Sequence, residues 1–425
     1  MLIKRDKYLK ELISWMHEPY IKVITGVRRC GKSFLLNEIF YSYLISKGVA
    51  EDHIIKFDLD NYQNYDKLGK KLNVVSLGKF IEGKIKDDKK YYILLDEIQI
   101  LKNFYLLLNG LLKNRNLDVY VTGSNSKFLS RDILTEFAGR GKEIRLYPLS
   151  FSEYYEAFKS SDKTKDKLLD DYVISGGLPS VVLKTNAENK ESEIKNILNE
   201  IYLKDIEKRH RVKHFQELKN LFEYLRYNPG TLVSPYGLSQ YISNQKGKKI
   251  KPETVDRYLS YFEDSFLISR IYRQKAGKEI ILSSPYKVYL EDIGFFKDLN
   301  HLSILSGAKM ENLVYNELRY RGFEDINVVK IDIREINRLG KSKEKHLEVD
   351  FVATSKSKKT FYFQSSLDVS NDKTLDRELR SFEHLKDHHE KVLIYKQGLL
   401  ANGVSNRGIF CISLVDFLLD PDWSK

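Results

Sequence analysis

The sequence predicts an α/β protein that begins with a parallel β-sheet covered by helices. Three observations support this fold class. Short apolar segments alternate with helical stretches through residues 1–150. Residues 91–97 (YYILLDE) are apolar almost throughout, which is typical of a strand buried on both faces of a parallel sheet. A glycine-bounded loop joins the segment 21–25 (IKVIT) directly to a helix, as in the strand–helix units of such sheets.

The predicted parts of the chain follow from changes in this pattern. Strands of the first part, residues 1–150, are predicted at 21–25, 53–59, 91–97, 118–124 and 143–149. Residues 151–215 contain no clear strand, which indicates a helical lid or linker. Residues 216–290 have the helix pattern of a winged helix, and residues 291–425 return to mixed α/β structure.

Composition limits the class of protein. The 425 residues are 31% charged and include no run of 18 apolar residues, so we expect no membrane span. The charged N-terminus does not resemble a secretory signal. With only Cys30 and Cys411 a disulfide framework is excluded, and a reducing, cytoplasmic location is expected. The net charge of +12 favours anionic partners, nucleic acid first.

The loop after the first strand matches a phosphate-binding pattern. Its sequence, GVRRCGKS, fits G-x-x-x-x-G-K-[ST] in every fixed position. Glycines allow main-chain N–H groups to close around phosphates, and the start of the next helix adds its positive dipole. Lys32 should reach the β- and γ-phosphates, while the Ser33 hydroxyl should hold Mg²⁺. The residues predicted to contact ATP are Gly26, Val27, Arg28, Arg29, Cys30, Gly31, Lys32, Ser33 and Phe34.

An acidic pair, Asp96-Glu97, ends the third predicted strand. Downstream of a phosphate-binding loop, this is the Walker B arrangement. Asp96 would complete the Mg²⁺ shell, and Glu97 would act as general base on the attacking water. The adjacent glutamate favours a hydrolysing ATPase over a GTP switch, although such a pair also begins helices as a cap.

Two further catalytic candidates follow. Ser124 or Asn125, after the fourth strand, would contact the γ-phosphate and the attacking water, or would simply cap a helix. Arg140, before the fifth strand, would stabilise developing charge on the nucleotide of a neighbouring subunit. The alternative is a local ion pair. A role in a neighbouring subunit implies a homo-oligomer.

The chain resembles a large prokaryotic family of AAA-type ATPases through six segments, in this order: GVRRCGKS, LLDEIQ, TGSNSKFLS, AGRGKEIRLYPLSFSEY, GGLP and IYLKDI. The likeness extends over nearly the whole chain, and the family has a C-terminal domain of uncharacterised function. The resemblance implies a P-loop NTPase of the AAA+/ASCE type. It does not imply a particular molecular task.

Residues 234–273 predict the two-helix plan of a winged helix, with a basic turn before Pro252 and a hairpin wing at Lys275–Lys278. The residues predicted to contact DNA phosphates are Lys246, Lys248, Lys249, Lys251, Lys275 and Lys278. Acidic residues on the second helix, Glu253 and Asp256, argue against base reading. A protein-packing module therefore remains the alternative.

The C-terminal part resembles the restriction-endonuclease-like, PD-(D/E)XK, fold. Glu317 lies on a predicted helix, Asp350 on a strand, and Gln364 follows on the next strand. Active members of that fold place a lysine two residues after the last of these, on the same strand face. Here Ser366 occupies that position. We therefore expect a degenerate site used for packing or DNA docking, without cleavage.

The leading prediction is a cytoplasmic, Mg²⁺-dependent AAA+-type ATPase that couples ATP hydrolysis to DNA binding or remodelling. Two alternatives remain open at this point: an ATP-regulated switch for protein assembly, and an ATP-fuelled nuclease. Salt-sensitive DNA binding separates the first hypothesis from the switch, and metal-dependent cutting separates it from the nuclease.

Overall fold

The structure, a computed structural model, describes residues 3–66, 68, 72–123, 139–246, 249–275, 280–281, 285–297, 304–336, 342–398, 400–405 and 407–423. The chain divides into two compact units. The first comprises Met1–Pro148 together with the short segments Leu178–Leu183 and Asp264–Phe266. The second comprises Leu149–Gly177, Lys184–Glu263 and Leu267–Lys425.

The first unit is built on a five-stranded parallel sheet. Its strands are β1 (Ile21–Thr25), β2 (Ile54–Asp58), β3 (Tyr91–Asp96), β4 (Leu117–Gly123) and β5 (Gly141–Arg145), in the order β2-β3-β4-β1-β5. All residues of β1, β3 and β4 are buried, which explains why these segments are so apolar. The predicted α/β fold class is confirmed, although β5 begins two residues and ends four residues earlier than predicted.

Helices lie before, between and after these strands. They span Asp6–Ser14, Lys32–Phe34, Leu35–Phe40, Tyr41–Ser46, Gln63–Asp66, Val74–Lys84, Phe104–Leu111 and Pro179–Val182, with short 3₁₀ turns at Glu51–His53 and Ile98–Ile100. The three segments from Lys32 to Ser46 follow one another without interruption. Asn73 begins the helix Val74–Lys84 by accepting hydrogen bonds from the main-chain N–H groups of Val75 and Ser76.

The main core of this unit lies on one face of the sheet. Val23, Phe57, Leu95 and Val121 belong to a buried cluster that also contains apolar residues of the helices Val74–Lys84 and Phe104–Leu111. Because side chains alternate along a strand, the next residue of each strand points to the opposite face. Those next residues are Ile24, Asp58, Asp96 and Thr122.

The second unit begins with helices. They span Phe151–Phe158, Lys165–Ser175, Ala187–Asn196, Ile197–Leu203 and Lys204–His210. The helix Lys165–Ser175 ends at Gly176, whose φ of 71° favours glycine. Buried Asp292 accepts a hydrogen bond of 2.8 Å from the N–H of Gly177. A Cβ atom at position 176 would lie 1.8 Å from the Asp292 carboxylate, so this turn requires glycine.

The middle of the second unit contains three helices and a small antiparallel sheet. The helices span Phe215–Tyr227, Pro235–Lys246 and Pro252–Asp264. The strands are β6 (Leu232–Val233), β7 (Ile268–Ile271) and β10 (Tyr286–Leu290), in the order β6-β10-β7. The helix beginning at Pro252 buries Val255, Leu259 and Phe262 on one face. The assignment as a winged helix stays a prediction.

An eight-stranded sheet forms the C-terminal part. Its strands are β8 (Arg273–Lys275), β9 (Ile280–Ile281), β11 (Glu324–Ile336), β12 (Ser342–Thr354), β13 (Thr360–Asp368), β14 (Glu390–Gln397), β15 (Gly403–Val404) and β16 (Phe410–Ser413). They are ordered β15-β16-β14-β13-β12-β11-β8-β9. Helices span Gly307–Arg321, Asp372–Glu383 and Leu414–Leu419, and a 3₁₀ turn spans Ile293–Phe295.

The predicted wing has an unexpected position. Its strands β8 and β9 pair with each other, and β8 also pairs in parallel with Val328–Lys330 of β11. The hairpin is therefore an edge of the large C-terminal sheet, not part of the small sheet β6-β10-β7. Within the described part of the chain, no helix is long and apolar enough to cross a membrane.

Candidate nucleotide-binding site

The loop between β1 and the helix at Lys32 has the backbone of a phosphate-binding turn. Gly26, Arg29 and Gly31 adopt positive φ angles of 143°, 69° and 97°. A Cβ atom on Gly26 would lie 2.1 Å from the carbonyl oxygen of Leu146, so only glycine fits. Gly31 ends the loop directly before the helix. The loop therefore places main-chain N–H groups and a helix N-terminus beside one another, which favours an anion.

Lys32 lies inside this loop. Its side chain is buried, and its Nζ donates hydrogen bonds to the carbonyl oxygens of Gly26 (3.1 Å) and Val27 (3.2 Å). The ammonium group is thus held by the residues that a polyphosphate would contact. Arg28 is half-buried and Arg29 is exposed, so both add positive charge near the loop. Cys30 is buried, and Phe34 is 41% exposed.

Asp96, at the end of β3, faces the same region. It accepts hydrogen bonds from the hydroxyl groups of Thr122 and Ser33. Burial raises the pKa of the Asp96 carboxyl, and the nearby carboxylates of Glu97 and Asp58 add to this effect, whereas the two hydroxyl donors oppose it. A buried carboxylate beside a hydroxyl at the start of a phosphate-binding helix is suited to hold Mg²⁺. The residues present therefore fit a magnesium–nucleotide complex.

Glu97 has a left-handed backbone, with φ of 51°. Its N–H donates a 2.9 Å hydrogen bond to the Thr122 hydroxyl, and its carboxylate accepts one from the side-chain amide of Gln99. Positive φ is uncommon outside glycine and is often maintained at functional sites. Thr122 therefore fixes the main chain of the acidic pair, and Gln99 orients the glutamate carboxylate.

Three residues near this site have no predicted role from sequence: Asp58, Thr122 and Pro179. Asp58 is the register partner of Asp96 on the neighbouring strand. The pyrrolidine ring of Pro179 lies 3.8 Å from where a Cβ of Gly31 would be. A polar residue at the end of an otherwise apolar strand could have revealed Asp58 and Thr122. No local signal predicts the contact of Pro179 with the loop, because Pro179 and Gly31 are far apart in the sequence.

Comparison with known proteins supports the same assignment. A family of AAA domains matches residues 18–155, and a domain of unknown function (DUF8612) matches residues 166–306. An uncharacterised protein of Haemophilus influenzae is 31% identical over 425 residues, covering 98% of this chain and 99% of its own. The chain belongs to the same family as that protein, a family of P-loop AAA+ proteins. An uncharacterised Methanocaldococcus jannaschii protein is 29% identical, covering 85% of this chain and 78% of its own.

Two solved structures match this chain at low overall similarity. The Aeropyrum pernix ORC2 protein in its ADP form has a TM-score of 0.35 and 12% identity, covering 62% of this chain and 84% of its own. Cdc6p of Pyrobaculum aerophilum has a TM-score of 0.33 and 13% identity, covering 67% of this chain and 91% of its own.

The other predicted catalytic residues either lie outside the described part of the chain or lie far from the phosphate-binding loop. Ser124 and Asn125 lie outside the described residues. Arg140 is exposed, and its carbonyl oxygen accepts a 2.8 Å hydrogen bond from the N–H of Ile21. It therefore lies at the amino end of the sheet, whereas the phosphate loop follows the carboxyl end of β1. Five residues of strand separate these two edges by about 16 Å.

The residues predicted to contact DNA are only partly described. Lys249, Lys251 and Lys275 are exposed. Lys248, Lys278 and the side chain of Lys246 lie outside the described residues. Arg270, another cation of this segment, donates hydrogen bonds of 2.6 Å to Glu263 and 2.7 Å to Asp256, so its charge is already paired.

The C-terminal acidic residues form a second cluster. Ser365 donates to Asp350 Oδ2 through its N–H (2.8 Å) and its hydroxyl (2.6 Å). Gln364 lies 3.4 Å from the other Asp350 oxygen, and Ser366 is also buried. The helix carboxylate that interacts with Asp350 is Glu311. The predicted partner, Glu317, instead accepts a 2.7 Å hydrogen bond from Arg321 on its own helix.

Lys287 supplies positive charge to this cluster from strand β10. Its Nζ lies 2.7 Å from Glu311 and 2.5 Å from Glu348, and the side chain is almost completely buried. Burial and the Glu311 carboxylate raise the pKa of Asp350 to about 7, against the opposing effects of Lys287 and Ser365. Among the described residues, no group of three or more His, Cys, Asp or Glu side chains is arranged to hold a metal ion.

Proposed function

We propose that this protein is a Mg²⁺-dependent ATPase that couples ATP hydrolysis to DNA binding or remodelling. One observation carries the ATPase part of the proposal. The Ser33 hydroxyl is hydrogen-bonded to Asp96, directly beside the glycine loop, and Glu97 follows Asp96 with a carboxylate held by Gln99. This arrangement supports the proposed roles of Ser33 and Asp96 as a metal-binding pair and of Glu97 as general base.

Each residue has a defined task in this proposal. The loop N–H groups and Lys32 bind the phosphates, and Ser33 and Asp96 hold Mg²⁺. A Mg²⁺ ion held there would supply positive charge against the charge that develops on the phosphates during transfer. Glu97 accepts a proton from the attacking water. Because Gln99 and Thr122 fix Glu97, this base is oriented before ATP binds.

The first test is nucleotide binding. Lys32→Ala removes a charge-assisted contact, which is worth about 1.5–3 kcal/mol, and should weaken ATP binding by about 10-fold to 100-fold. Calorimetric titration of ATP with Mg²⁺ measures this. Lys113→Ala, an exposed lysine of the same unit, is the control. Wild-type affinity in Lys32→Ala would contradict the assignment of the loop.

Arg140 is proposed to act in a neighbouring subunit. The length of strand β5, about 16 Å, separates Arg140 from the phosphate-binding loop of the same subunit. Arg140 therefore does not contact the nucleotide of its own subunit. Its exposed position makes it available to a second copy of the chain. An arginine that stabilises transition-state charge in this way increases the rate by about 10³-fold or more.

The test of this role uses mixed subunits. Arg140→Ala should bind ATP normally and hydrolyse it slowly. Mixing it with Glu97→Gln protein should restore part of the activity, because some interfaces then combine an intact arginine with an intact glutamate. Full hydrolysis by a monomer at high dilution would exclude a role across subunits.

The DNA part of the proposal rests on charge. The chain has a net charge of +12. Lys249 and Lys251, just before the helix Pro252–Asp264, and Lys275, on β8, are exposed. Lysines in this position are suited to contact phosphates, while the acidic residues of the same helix disfavour base reading. The proposal therefore predicts binding with little sequence preference and strong salt dependence.

Salt dependence provides the test. Lys249→Glu with Lys251→Glu should weaken duplex binding and reduce the log–log salt slope by roughly 0.9 for each lost phosphate contact. The matched control, Lys86→Glu with Lys113→Glu, changes the net charge equally at exposed positions of the other unit. ATPase rates with single-stranded, duplex and branched DNA would then identify the preferred form.

The alternative of an ATP-regulated assembly switch is favoured by one observation. The hairpin β8–β9 is hydrogen-bonded into the C-terminal sheet through β11, so it is partly engaged in packing within the protein. If the double lysine reversal leaves the salt slope unchanged, this alternative replaces the DNA proposal. ATP-dependent assembly, measured by light scattering, would support it directly.

A further inference from the structure

The carboxyl edge of the first sheet carries a row of polar side chains. Asp58 of β2 is in register with Asp96 of β3, and Thr122 of β4 donates a hydrogen bond to Asp96. The residues before them, Phe57, Leu95 and Val121, all belong to the apolar cluster on the opposite face. Asp58, Asp96 and Thr122 therefore point to the same face of the sheet.

Asp58 is held in place by its own turn. Its Oδ1 accepts a 2.9 Å hydrogen bond from the N–H of Asp60, and its carbonyl oxygen accepts one of 2.8 Å from the Asn64 amide. The N–H of Leu59 donates to the carbonyl oxygen of Asp96, which extends the pairing of the two strands past Asp58. Within the described residues, no hydrogen-bond donor contacts Oδ2. The carboxylate is thus fixed with one oxygen available.

The strand order sets the distance of Asp58 from the phosphates. The order β2-β3-β4-β1 places Asp96 nearer to the phosphate loop and Asp58 one strand further away. Neighbouring strands are about 4.8 Å apart. This spacing is longer than a metal–oxygen bond, but one water molecule can bridge a metal ion at Asp96 and the carboxylate of Asp58. Mg²⁺ usually keeps several of its waters when it binds to proteins.

We infer that Asp58 is a positioning residue of the nucleotide site. Its carboxylate accepts hydrogen bonds from water molecules bound to the Mg²⁺ that Ser33 and Asp96 hold. This inference rests on the proposed function. Two carboxylates on adjacent strands repel each other without a cation and attract a divalent cation together. Asp58 therefore makes nucleotide binding more dependent on Mg²⁺, because it disfavours metal-free ATP and favours the magnesium complex.

The test measures ATP affinity by calorimetry twice, once with Mg²⁺ and once with EDTA. For Asp58→Asn, the affinity with Mg²⁺ should fall by about 10-fold, as expected for an outer-shell ligand. The affinity with EDTA should rise or stay equal, since one negative charge near the phosphates is removed. Asp58→Glu, which keeps the charge, should retain part of the Mg²⁺ effect. Asp60→Asn, an exposed neighbour, is the control.

The outcomes separate this inference from the proposed function. An equal loss of affinity in Mg²⁺ and in EDTA would indicate a purely structural role and overturn the inference, as would no change in either. If wild-type protein fails to bind ATP, or Lys32→Ala binds it normally, the proposed function itself fails. Thermal unfolding of Asp58→Asn in EDTA should show a midpoint at or above that of wild type, because the repulsion with Asp96 is relieved.

Discussion

The candidate nucleotide site and the C-terminal acidic cluster contain similar residues but differ in the source of the positive charge. In both, a buried aspartate lies on a strand beside a second carboxylate. Around Asp96 the donors are two neutral hydroxyls, and one of them, Ser33, is exposed. Around Asp350 and Glu311 the donors are Ser365, Tyr289 and the ammonium of Lys287. The first arrangement leaves negative charge for a metal, whereas the second already contains its cation.

This difference indicates how acidic clusters in such folds can be interpreted. The presence of carboxylates alone does not distinguish a metal site from a structural ion cluster. What distinguishes them is whether a lysine or arginine of the protein occupies the position between them. Here Lys287 comes from a strand outside the sheet of the cluster, so no local motif near Asp350 reveals it.

The largest effect is expected in the nucleotide site. Glu97→Gln keeps the shape of the side chain and removes the general base, so the hydrolysis rate should fall by about 10²-fold to 10⁴-fold. ATP affinity should stay near the wild-type value, since Glu97 is not proposed to bind phosphate. Single-turnover hydrolysis and calorimetry measure the two quantities. A fully active Glu97→Gln protein would refute its role.

In the C-terminal cluster the corresponding change should affect stability instead. Lys287→Met leaves Glu311 and Glu348 without their buried cation, which is expected to cost about 3–5 kcal/mol of unfolding free energy. Urea denaturation followed by tyrosine fluorescence measures this loss. Lys287→Arg, which keeps the charge, should lose less. An unchanged unfolding midpoint in Lys287→Met would contradict the structural role of the ion cluster.

A smaller, pH-dependent effect is expected for Asp350→Asn. The folded pKa of Asp350, about 7, is above its usual value of 3.8. The folded state therefore binds more protons than the unfolded state between these values, and wild-type stability should decrease as pH rises from about 4 to 7. Asp350→Asn lacks this dependence, so between pH 4 and pH 8 wild type should lose up to about 4 kcal/mol of stability relative to this variant.

The comparison is made by denaturation at pH 5 and pH 8. The stability difference between Asp350→Asn and wild type should be larger at pH 8. A difference that is equal at both pH values would show that Asp350 does not titrate in this range. Asp368→Asn, at an exposed carboxylate of strand β13 in the same sheet, serves as the control.

The smallest effect concerns DNA cleavage, for which we expect none. In the predicted endonuclease-like site, Ser366 stands where active members have a lysine, and Lys287 forms an ion pair with Glu311. Purified protein with Mg²⁺ or Mn²⁺ should therefore leave plasmid, linear and branched DNA intact. Nicking by wild type that disappears in Asp350→Ala, with ATP hydrolysis preserved, would instead establish an ATP-fuelled nuclease.

The sequence predicts much of the first unit because its signals are local. The glycine spacing at Gly26 and Gly31 and the acidic pair after an apolar strand each lie within one short segment. The strand order and the row formed by Asp58, Asp96 and Thr122 depend on which strands become neighbours, and a strand's own residues do not encode this. The predictions for Ser124 and Asn125 stay untested.

In the second unit, long-range contacts decide the outcome. The sequence predicts Glu317 as the helix carboxylate beside Asp350, because it lies on the helix that precedes the strand of Asp350. The orientation of that helix instead brings Glu311 to Asp350. Likewise, the hairpin at β8 looks like a free wing until its pairing with β11 is known.

The pairing of β8 with β11 also has a consequence for any shorter version of this chain. β11 has 13 residues, and an uncovered strand of this length is a template for association with other chains. Residues 273–275 cover part of that edge, and they belong to a segment that precedes the rest of the sheet. A gene encoding only the C-terminal portion would therefore lack the strand that pairs with Val328–Lys330, and this part of the β11 edge would be open to pairing with another chain.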